Sequence, residues 1–546
     1  MRSAFVRMLV ILFAFTSCSS SNRGDESNVF RYNESNGITS LDPAFARNLE
    51  NMWAVNQVYD GLLALDDSMR IVPALASAYE VSLDGLTYRF YLRRDVFFHD
   101  NECFESGRGR RVTASDVVFS FNRLRDPSLA SPGAWIFDVL HNDSGCIALD
   151  DSTVQLRLKQ PFPPFTGLLT TQYANIVPRE AIERYGDDFR SNPVGCGPFQ
   201  FAFWMEDVAL VLHKNPKYYQ TDELGKSLPY LDAVKISFVR DKTTEYLGLL
   251  QGRYHFMSGL HPAYKDELLM SDGSLRDLYA DRIHLASRPF IKTDYIGFLV
   301  DDSIDAVRQS PLFDVRVRRA LLHATDREKM VRYLRNNAVF PASGGFIPAG
   351  LPGYNASLGA SSHYNPSKAL ELLAEAGYPK GAGMAPIVIS TTSDYADLCE
   401  FLQHEWQKLG IRTEVDVMAG PVHREKVAKS QVAVFRKSWL ADYPDAENFL
   451  LLFHSRNHAP GGPNYTHYRN ADFDALYDEA NSTVNDSLRY AIYRRLDSLV
   501  MHDVPVLPLY YDRVTHFVRN EVVDFPTNPV NMLDLSRVKL TELKQP

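Results

Sequence analysis

This chain lacks the signatures of catalysis and nucleotide binding. It has no G-x-S-x-G elbow and no P-loop, and His404-Glu405-Trp406-Gln407-Lys408 begins like a zinc-protease helix but ends in Lys where a second His must bind metal. Cysteine is scarce, five in 546 residues with no CxxC spacing, which argues against a structural zinc or redox pair. Basic charge is not in excess: the formal net charge is −9, and removing the Arg2 and Arg7 of the N-terminal segment makes it more negative, which argues against nucleic acid as a partner. The Arg108, Arg110, Arg111 cluster therefore reads as a solvated loop. Long apolar runs are absent as well. Met8 to Phe15 falls short of the roughly 20 residues that span a bilayer, and no other segment is long enough.

The composition, 45% hydrophobic and 12% aromatic, supports a large core, and the length suggests two or more domains. The short apolar run after Arg2 and Arg7 suits a signal-peptide core, so residues 1–17 are expected to be an export signal. It ends in Phe15-Thr16-Ser17-Cys18, which resembles a lipobox, making Cys18 the candidate for lipidation. Residues 18–28, rich in Ser, Asn and Gly, read as a flexible tether. The expected location is the periplasmic or extracytoplasmic face, anchored in the membrane through lipid alone. Of the remaining cysteines, Cys103, Cys146, Cys196 and Cys399, four thiols allow three full pairings. A Cys103–Cys146 bridge is one candidate, because both sit in polar, loop-like stretches of one region, while Cys399 reads as a buried helical thiol.

Two styles of pattern divide the chain. Between about 70 and 220 the pattern is hairpins: Tyr79 to Ser82 and Leu86 to Arg93 flank Leu83-Asp84-Gly85, Thr153 to Lys159 alternates, and Phe199 to Trp204 pairs with Val208 to His213. Thr113-Ala114-Ser115-Asp116 starts a helix in capping-box fashion. From about 290 helices and strands alternate. Asp314 to Leu334 reads as one helix, Asn365 caps another with Pro366 at its first position, and strands follow at Ile387 to Thr391, Ile411 to Val417 and Val432 onward. This is βαβ material, so the fold class is α/β with a parallel or mixed sheet.

The stretch Val432 to Phe453 carries the strongest functional signal. Arg436 and Asp442 interrupt one of the most apolar runs of the chain, framed by Phe435, Trp439, Tyr443 and Phe449. Taking a charge out of water costs several kcal/mol unless a partner is supplied, and a zwitterionic ligand would be such a partner. Along an extended strand the two charges are at most about 20 Å apart, a span that suits the termini of a short peptide. The competing reading is two ordinary structural ion pairs. His454, His458 and His467 read as hydrogen-bonded or solvated histidines, and Asp442, Asp445 and Glu447 lack the glycine-centred loop of a calcium site, so no metal, cofactor or catalytic group is expected.

Short segments in a shared order give the chain a resemblance. They are Ser40-Leu41-Asp42-Pro43, Val58-Tyr59-Asp60-Gly61-Leu62-Leu63, Pro73-Ala74-Leu75-Ala76, Asp84-Gly85-Leu86-Thr87-Tyr88, Val194-Gly195-Cys196-Gly197-Pro198-Phe199, Asn215-Pro216-Lys217-Tyr218-Tyr219, Asp314 to Leu321, Ala441-Asp442-Tyr443-Pro444-Asp445 and Pro508-Leu509-Tyr510-Tyr511. In this order they resemble the extracytoplasmic substrate-binding proteins of ABC importers, family 5, the oligopeptide and dipeptide type. The resemblance implies a two-lobed periplasmic-binding-protein-like clamp (type II, cluster C). Its first lobe would comprise 29–70, 185–285 and 508–546 with an extra subdomain at 71–184, and its second lobe 286–507.

It further implies a monomeric receptor, not an enzyme, that binds a short peptide between its lobes and hands it to a membrane permease served by separate ATPase subunits. Asp442 would take the peptide's α-amine and Arg436 the C-terminal carboxylate of some peptides. Ser438, Trp439, Leu440 and Leu49 would flank the ligand, with Tyr510 or Tyr511 lining the cleft. The alternatives are the same fold with another cargo (a nickel chelate, haem, an oligosaccharide or a signalling peptide) or an exported hydrolase. Two features depart from the family pattern: Cys196 stands where Thr is usual, and Glu102 to Arg111 looks inserted.

Overall fold

The computed structural model describes residues 28–541 except 143, 260, 262 and 263. The expected export segment, Cys18 and the tether up to residue 27 lie outside the described residues. Two sheets organise the chain. The larger is mixed and has eleven strands among the described residues, in the spatial order Thr413–Met418, Ile387–Thr392, Val434–Leu440, Ile283–Phe298, Val506–Arg519, Phe256–Ser258, Val29–Asn33, Ala233–Ser237, Ala209–Lys214 and Phe199–Met205, with Phe340–Pro341 also on Val506–Arg519. The smaller is wholly antiparallel, in the order Ala76–Val81, Thr87–Leu92, Thr153–Arg157, Cys146–Asp150. The hairpins read from alternation form, and so does the parallel unit in which helix Ala396–Gln407 connects Ile387–Thr392 to Thr413–Met418.

The apolar residues collect in separate cores. One joins side chains from Phe30 to Phe238 with the returning stretch Val518 to Val538. Two others are built between Ile291 and Tyr510, on opposite sides of the larger sheet's C-terminal strands. Ile283–Phe298 and Val506–Arg519, the two longest strands, run antiparallel between these cores. Tyr443 crosses the divide: it is buried in the first core, with its ring against Gly167 and 6.5 Å from that of Trp135.

Local chemistry explains most boundaries. Asp116 accepts from the Thr113 backbone N–H at 2.9 Å, completing the capping box of helix Ala114–Arg125, and Asn365 accepts from Lys368 N–H at 3.0 Å to cap Pro366–Glu375. Three expectations need correction. The single helix over Asp314 to Leu334 is two, Val315–His323 and Arg327–Arg335, because Asp326 caps a fresh start by accepting from Lys329 N–H at 2.9 Å. Arg110 is no solvated loop residue: its guanidinium bridges Asp116 at 2.7 Å and Glu180 at 2.6 Å. The Cys103–Cys146 bridge is not formed. Both thiols are free, Cys103 in the loop before the first long helix and Cys146 buried on a strand opposite Leu156.

The Val194-Gly195-Cys196-Gly197 segment packs directly on Val58-Tyr59. Gly197 N–H donates to Val58 O at 2.9 Å, and His99 N–H donates to Gly195 O at 2.8 Å. A Cβ on Gly195 would lie 2.0 Å from Val58 O, which is backbone and cannot move aside. Gly195→Ala is therefore expected to destabilise the protein by about 2–3 kcal/mol. Gly461→Ala, whose new methyl would meet only His458 O at 3.7 Å, should be near neutral. Thermal unfolding of the two variants beside wild type checks the difference.

Candidate functional site

The strand Val434–Leu440 ends at a bend that aims Asp442 into a cavity between the two sets of cores. Ala441 N–H is fixed to Ile291 O at 3.0 Å. Asn448, fully buried, then sets the side chains around the bend. Its Oδ1 accepts from Trp439 Nε1 at 3.0 Å and from Asp442 N–H at 3.2 Å, and its Nδ2 donates to Asp442 Oδ2 at 3.3 Å. Behind it, Glu447 is buried between the hydroxyls of Tyr443 and Tyr477, and Asp445 pairs with Arg489 at 3.5 Å. Burial pushes the Glu447 carboxyl up to about 7 against the lowering pull of those two phenols.

The cavity, of about 160 Å³, is lined from one side by Leu49, Asp60, Trp135, Tyr173 and Asp534 and from the other by Leu440 and Asp442. Asp442 opens onto it, yet the surrounding walls still deprive the carboxylate of bulk water and push it up to about 6, moderated by the Asn448 amide. No cation pairs with Asp442 among the described residues. Asp60 is pushed up to about 7 by burial and by Asp534, against the phenols of Tyr219 and Tyr218, and Asp67 is raised by burial and by Asp534. Four carboxylates thus line the cavity, with no Lys, Arg or His among the lining residues. Cys196 lies buried near Asp60.

Arg436 points to the other face of the strand. Its guanidinium pairs with the fully buried Asp294 and lies over the Tyr395 ring, and burial lowers its pKa to about 10. Asp294 also meets Lys292 at 3.1 Å, which in turn meets Asp512 at 2.6 Å. Of the eight side chains named from sequence, the cavity brings together Leu49, Leu440 and Asp442. Ser438 and Trp439 flank it on the strand. Tyr510 instead lines a separate cavity of about 300 Å³ with Lys292, Tyr395 and Asp512, and Tyr511 is held by its hydroxyl, which donates to Gly345 O at 2.7 Å and accepts from Gly344 N–H at 3.2 Å. Sequence reasoning missed Asn448, Trp135 and Tyr173. Asp60 stood in a recognised segment without an assigned role.

A family model, Bacterial extracellular solute-binding proteins, family 5 Middle, matches residues 70–461. The chain is 27% identical to the dipeptide-binding protein of Escherichia coli (strain K12) over 489 residues, covering 86% of each. It is 28% identical to heme-binding protein A of Haemophilus influenzae over 472 residues, covering 83% of this chain and 81% of the relative. Among solved structures, the periplasmic binding protein DppA of Helicobacter pylori in complex with the peptide STSA superposes with a TM-score of 0.79 at 25% identity, over 94% of this chain and 98% of that one.

The raised Asp442 carboxyl fixes the sign of a pH effect. A group whose folded pKa is about 6 instead of 3.8 binds more protons folded than unfolded, so ligand-free stability falls as pH rises through about 4 to 6. Asp442→Asn removes that loss. The ligand-free variant is expected to be more stable than wild type at pH 7.5 by about 1 kcal/mol, discounted from the full shift because the carboxylate opens to the cleft. The gap should close by pH 4, as followed by thermal unfolding at both pH values.

Proposed function

The chain belongs to family 5 of the bacterial extracellular solute-binding proteins, and we propose that it is a lipid-anchored receptor that captures short peptides with a free α-amine for an ABC importer. One observation carries this reading. Asp442 is an oriented carboxylate in a cavity between the lobes, with no cationic partner among the described residues. An α-amine would supply the missing charge, and a charge-assisted hydrogen bond of that kind is worth about 1.5–3 kcal/mol. The other carboxylates of the cavity favour a cation further.

The size of the cavity supports small cargo. At about 160 Å³ it falls below the roughly 300–1,000 Å³ of sites for drug-sized ligands, so the cavity matches the amine end of a peptide with the rest of the chain extending beyond it. Trp135, Tyr173 and Leu49 on one wall and Leu440 with Trp439 on the other would cover an extended ligand. The peptide backbone would then be bound much as an added strand is. A ligand touching both walls stabilises the closed clamp by its differential affinity for that state, and the closed clamp is the form a permease would engage. In this reading the receptor works as a monomer, Cys18 carries the lipid, and hydrolysis of ATP belongs to separate subunits.

Native mass spectrometry of the purified protein is expected to show bound peptide. Titration calorimetry should find free-amine peptides binding about 10–100 times tighter than their N-acetylated forms, with Asp442→Ala abolishing the difference. Equal binding of acetylated and free-amine peptides by wild type would overturn the role of Asp442.

A further inference from the structure

The carboxylates facing Asp442 outnumber what a peptide amine can offset. Asp67 stands exposed at the rim within the field of Arg288 and Arg537, and so has cations of its own. Asp60 and Asp534 do not. Neither forms an ion pair among the described residues, and no basic side chain lines the cavity. Asp60 Oδ2 is sealed from solvent without a hydrogen-bond partner, although the phenols of Tyr219 and Tyr218 stand near enough to lower its pKa. Asn175 lines the same wall. It is only 9% exposed, and its side-chain amide makes no hydrogen bond among the described residues.

Backbone hydrogen bonds hold these three groups together. Asp60 follows the helix Leu49–Val58, and its carbonyl accepts from Ile176 N–H at 3.1 Å, which sets Asn175 beside it. The segment carrying Asp534 is clamped to the same helix. Leu533 O accepts from Gln57 Nε2 at 2.7 Å and from Asn56 Nδ2 at 2.9 Å, and Leu535 N–H donates to Gln57 Oε1 at 3.1 Å. Ser536 N–H donates to Asp534 Oδ1 at 2.8 Å, which leaves Oδ2 for a ligand. Gly61 also lines the cavity, and Asn175 Oδ1 lies 3.5 Å from where a Cβ on that glycine would stand. The charge of Asp534 reaches Asp60, which places both carboxylates around one volume.

We propose that Asp60, Asp534 and Asn175 form a subsite for a basic side chain on the cargo's first residue, so that the receptor prefers peptides beginning with a lysine-like residue. This rests on the peptide reading of the same cavity and names the class of peptide it selects. Covalent geometry assigns the side chain to the first residue: α-amine and side chain leave one carbon, and both must share a cavity of about 160 Å³. With the amine at Asp442 on one wall, the flexible four-carbon stem of lysine carries its ammonium to the other. An apolar side chain there would leave Asp60 Oδ2 and the Asn175 amide buried without partners, which costs their full desolvation. An ammonium has three donors for the three side chains. Burial and Asp534 raise Asp60 to about 7, and the other groups facing it are Tyr219, Tyr218 and Cys196. A cation seated there therefore draws a proton off Asp60 near neutral pH.

The test is titration calorimetry at pH 7 with three tripeptides, Lys-Ala-Ala, norleucine-Ala-Ala and Ala-Lys-Ala, on wild type, Asp60→Asn and Asp534→Asn. Wild type is expected to bind Lys-Ala-Ala ten-fold or more tighter than the norleucine peptide, which has the same stem without the charge. Each variant should lower that ratio at least three-fold. In buffers of different ionisation enthalpy, wild type should release more protons with Lys-Ala-Ala than with the norleucine peptide, and Asp60→Asn should lose the excess. Should Asp60→Asn fail to fold, the exposed Asp534→Asn carries the test. Equal binding of the lysine and norleucine peptides by wild type overturns the proposal, as does an unchanged ratio in the variants. An equal gain for Ala-Lys-Ala overturns it too, since that would reflect general attraction to an acidic cleft. If no free-amine peptide binds wild type, or binding is indifferent to Asp442→Ala, the peptide reading itself fails. If the peptides bind and depend on Asp442 but not on the lysine charge, only the side-chain subsite fails.

Discussion

The antiparallel pairing of Ile283–Phe298 with Val506–Arg519 is the constraint on which the rest of the structure depends. These strands are continuous through the larger sheet, and each feeds both halves of it. Ile283–Phe298 pairs with Val434–Leu440 on one side, and Val506–Arg519 pairs with Phe256–Ser258 on the other. Because their backbone hydrogen bonds satisfy each other, they can pass between two sets of apolar cores without leaving polar groups stranded. The cores need not merge. Register shifts occur within this pair, between Pro289 and Thr293 and between Asp294 and Tyr295. Irregularities of this kind re-aim side chains locally, and here they occur beside Asp294 and Lys292, the partners that hold Arg436 and Asp512.

Two adjacent residues on one strand consequently live under different electrostatic rules. Pairing Ile296 with Arg436 in register brings Asp294 under the guanidinium, and a buried arginine so paired is a structural element. Removing one partner of such a pair would leave an uncompensated buried charge, a loss of about 3–5 kcal/mol. Lys437, one residue on, faces the other way, with its ammonium over the Tyr465 ring. The alternation of a strand is enough to put two neighbouring cations in different surroundings.

This also marks how far the sequence could be read. Hairpins and helix caps were legible because they depend on neighbours a few residues away: Asp116 caps at Thr113, and Asn365 caps at Lys368. The helix break at Asp326 obeyed the same capping rule and was missed because the apolar stripe runs through it. Asp442 was legible as an awkward charge in an apolar stretch. Its enclosure was not, since Trp135, Tyr173 and Asp60 arrive from the other lobe. Nor was the fate of Arg436. Nothing near it in sequence announces Asp294, and a resemblance that assigns it to cargo cannot register a counter-charge supplied by this particular fold.

The charges left over after these pairings bear on how the clamp closes. Asp442 shares its cavity with Asp60, Asp67 and Asp534. Like charges oppose each other there, while apolar contacts such as Tyr443 on Gly167 bridge the two sets of cores. An amine placed among these carboxylates would turn that repulsion into attraction. Driving a two-state element from almost wholly open to almost wholly closed takes about 5.5 kcal/mol of differential affinity, and one charge-assisted contact of about 1.5–3 kcal/mol supplies only part of it. The remainder would have to come from contacts with both walls, so discrimination would arise in the closing step as much as in the amine contact itself.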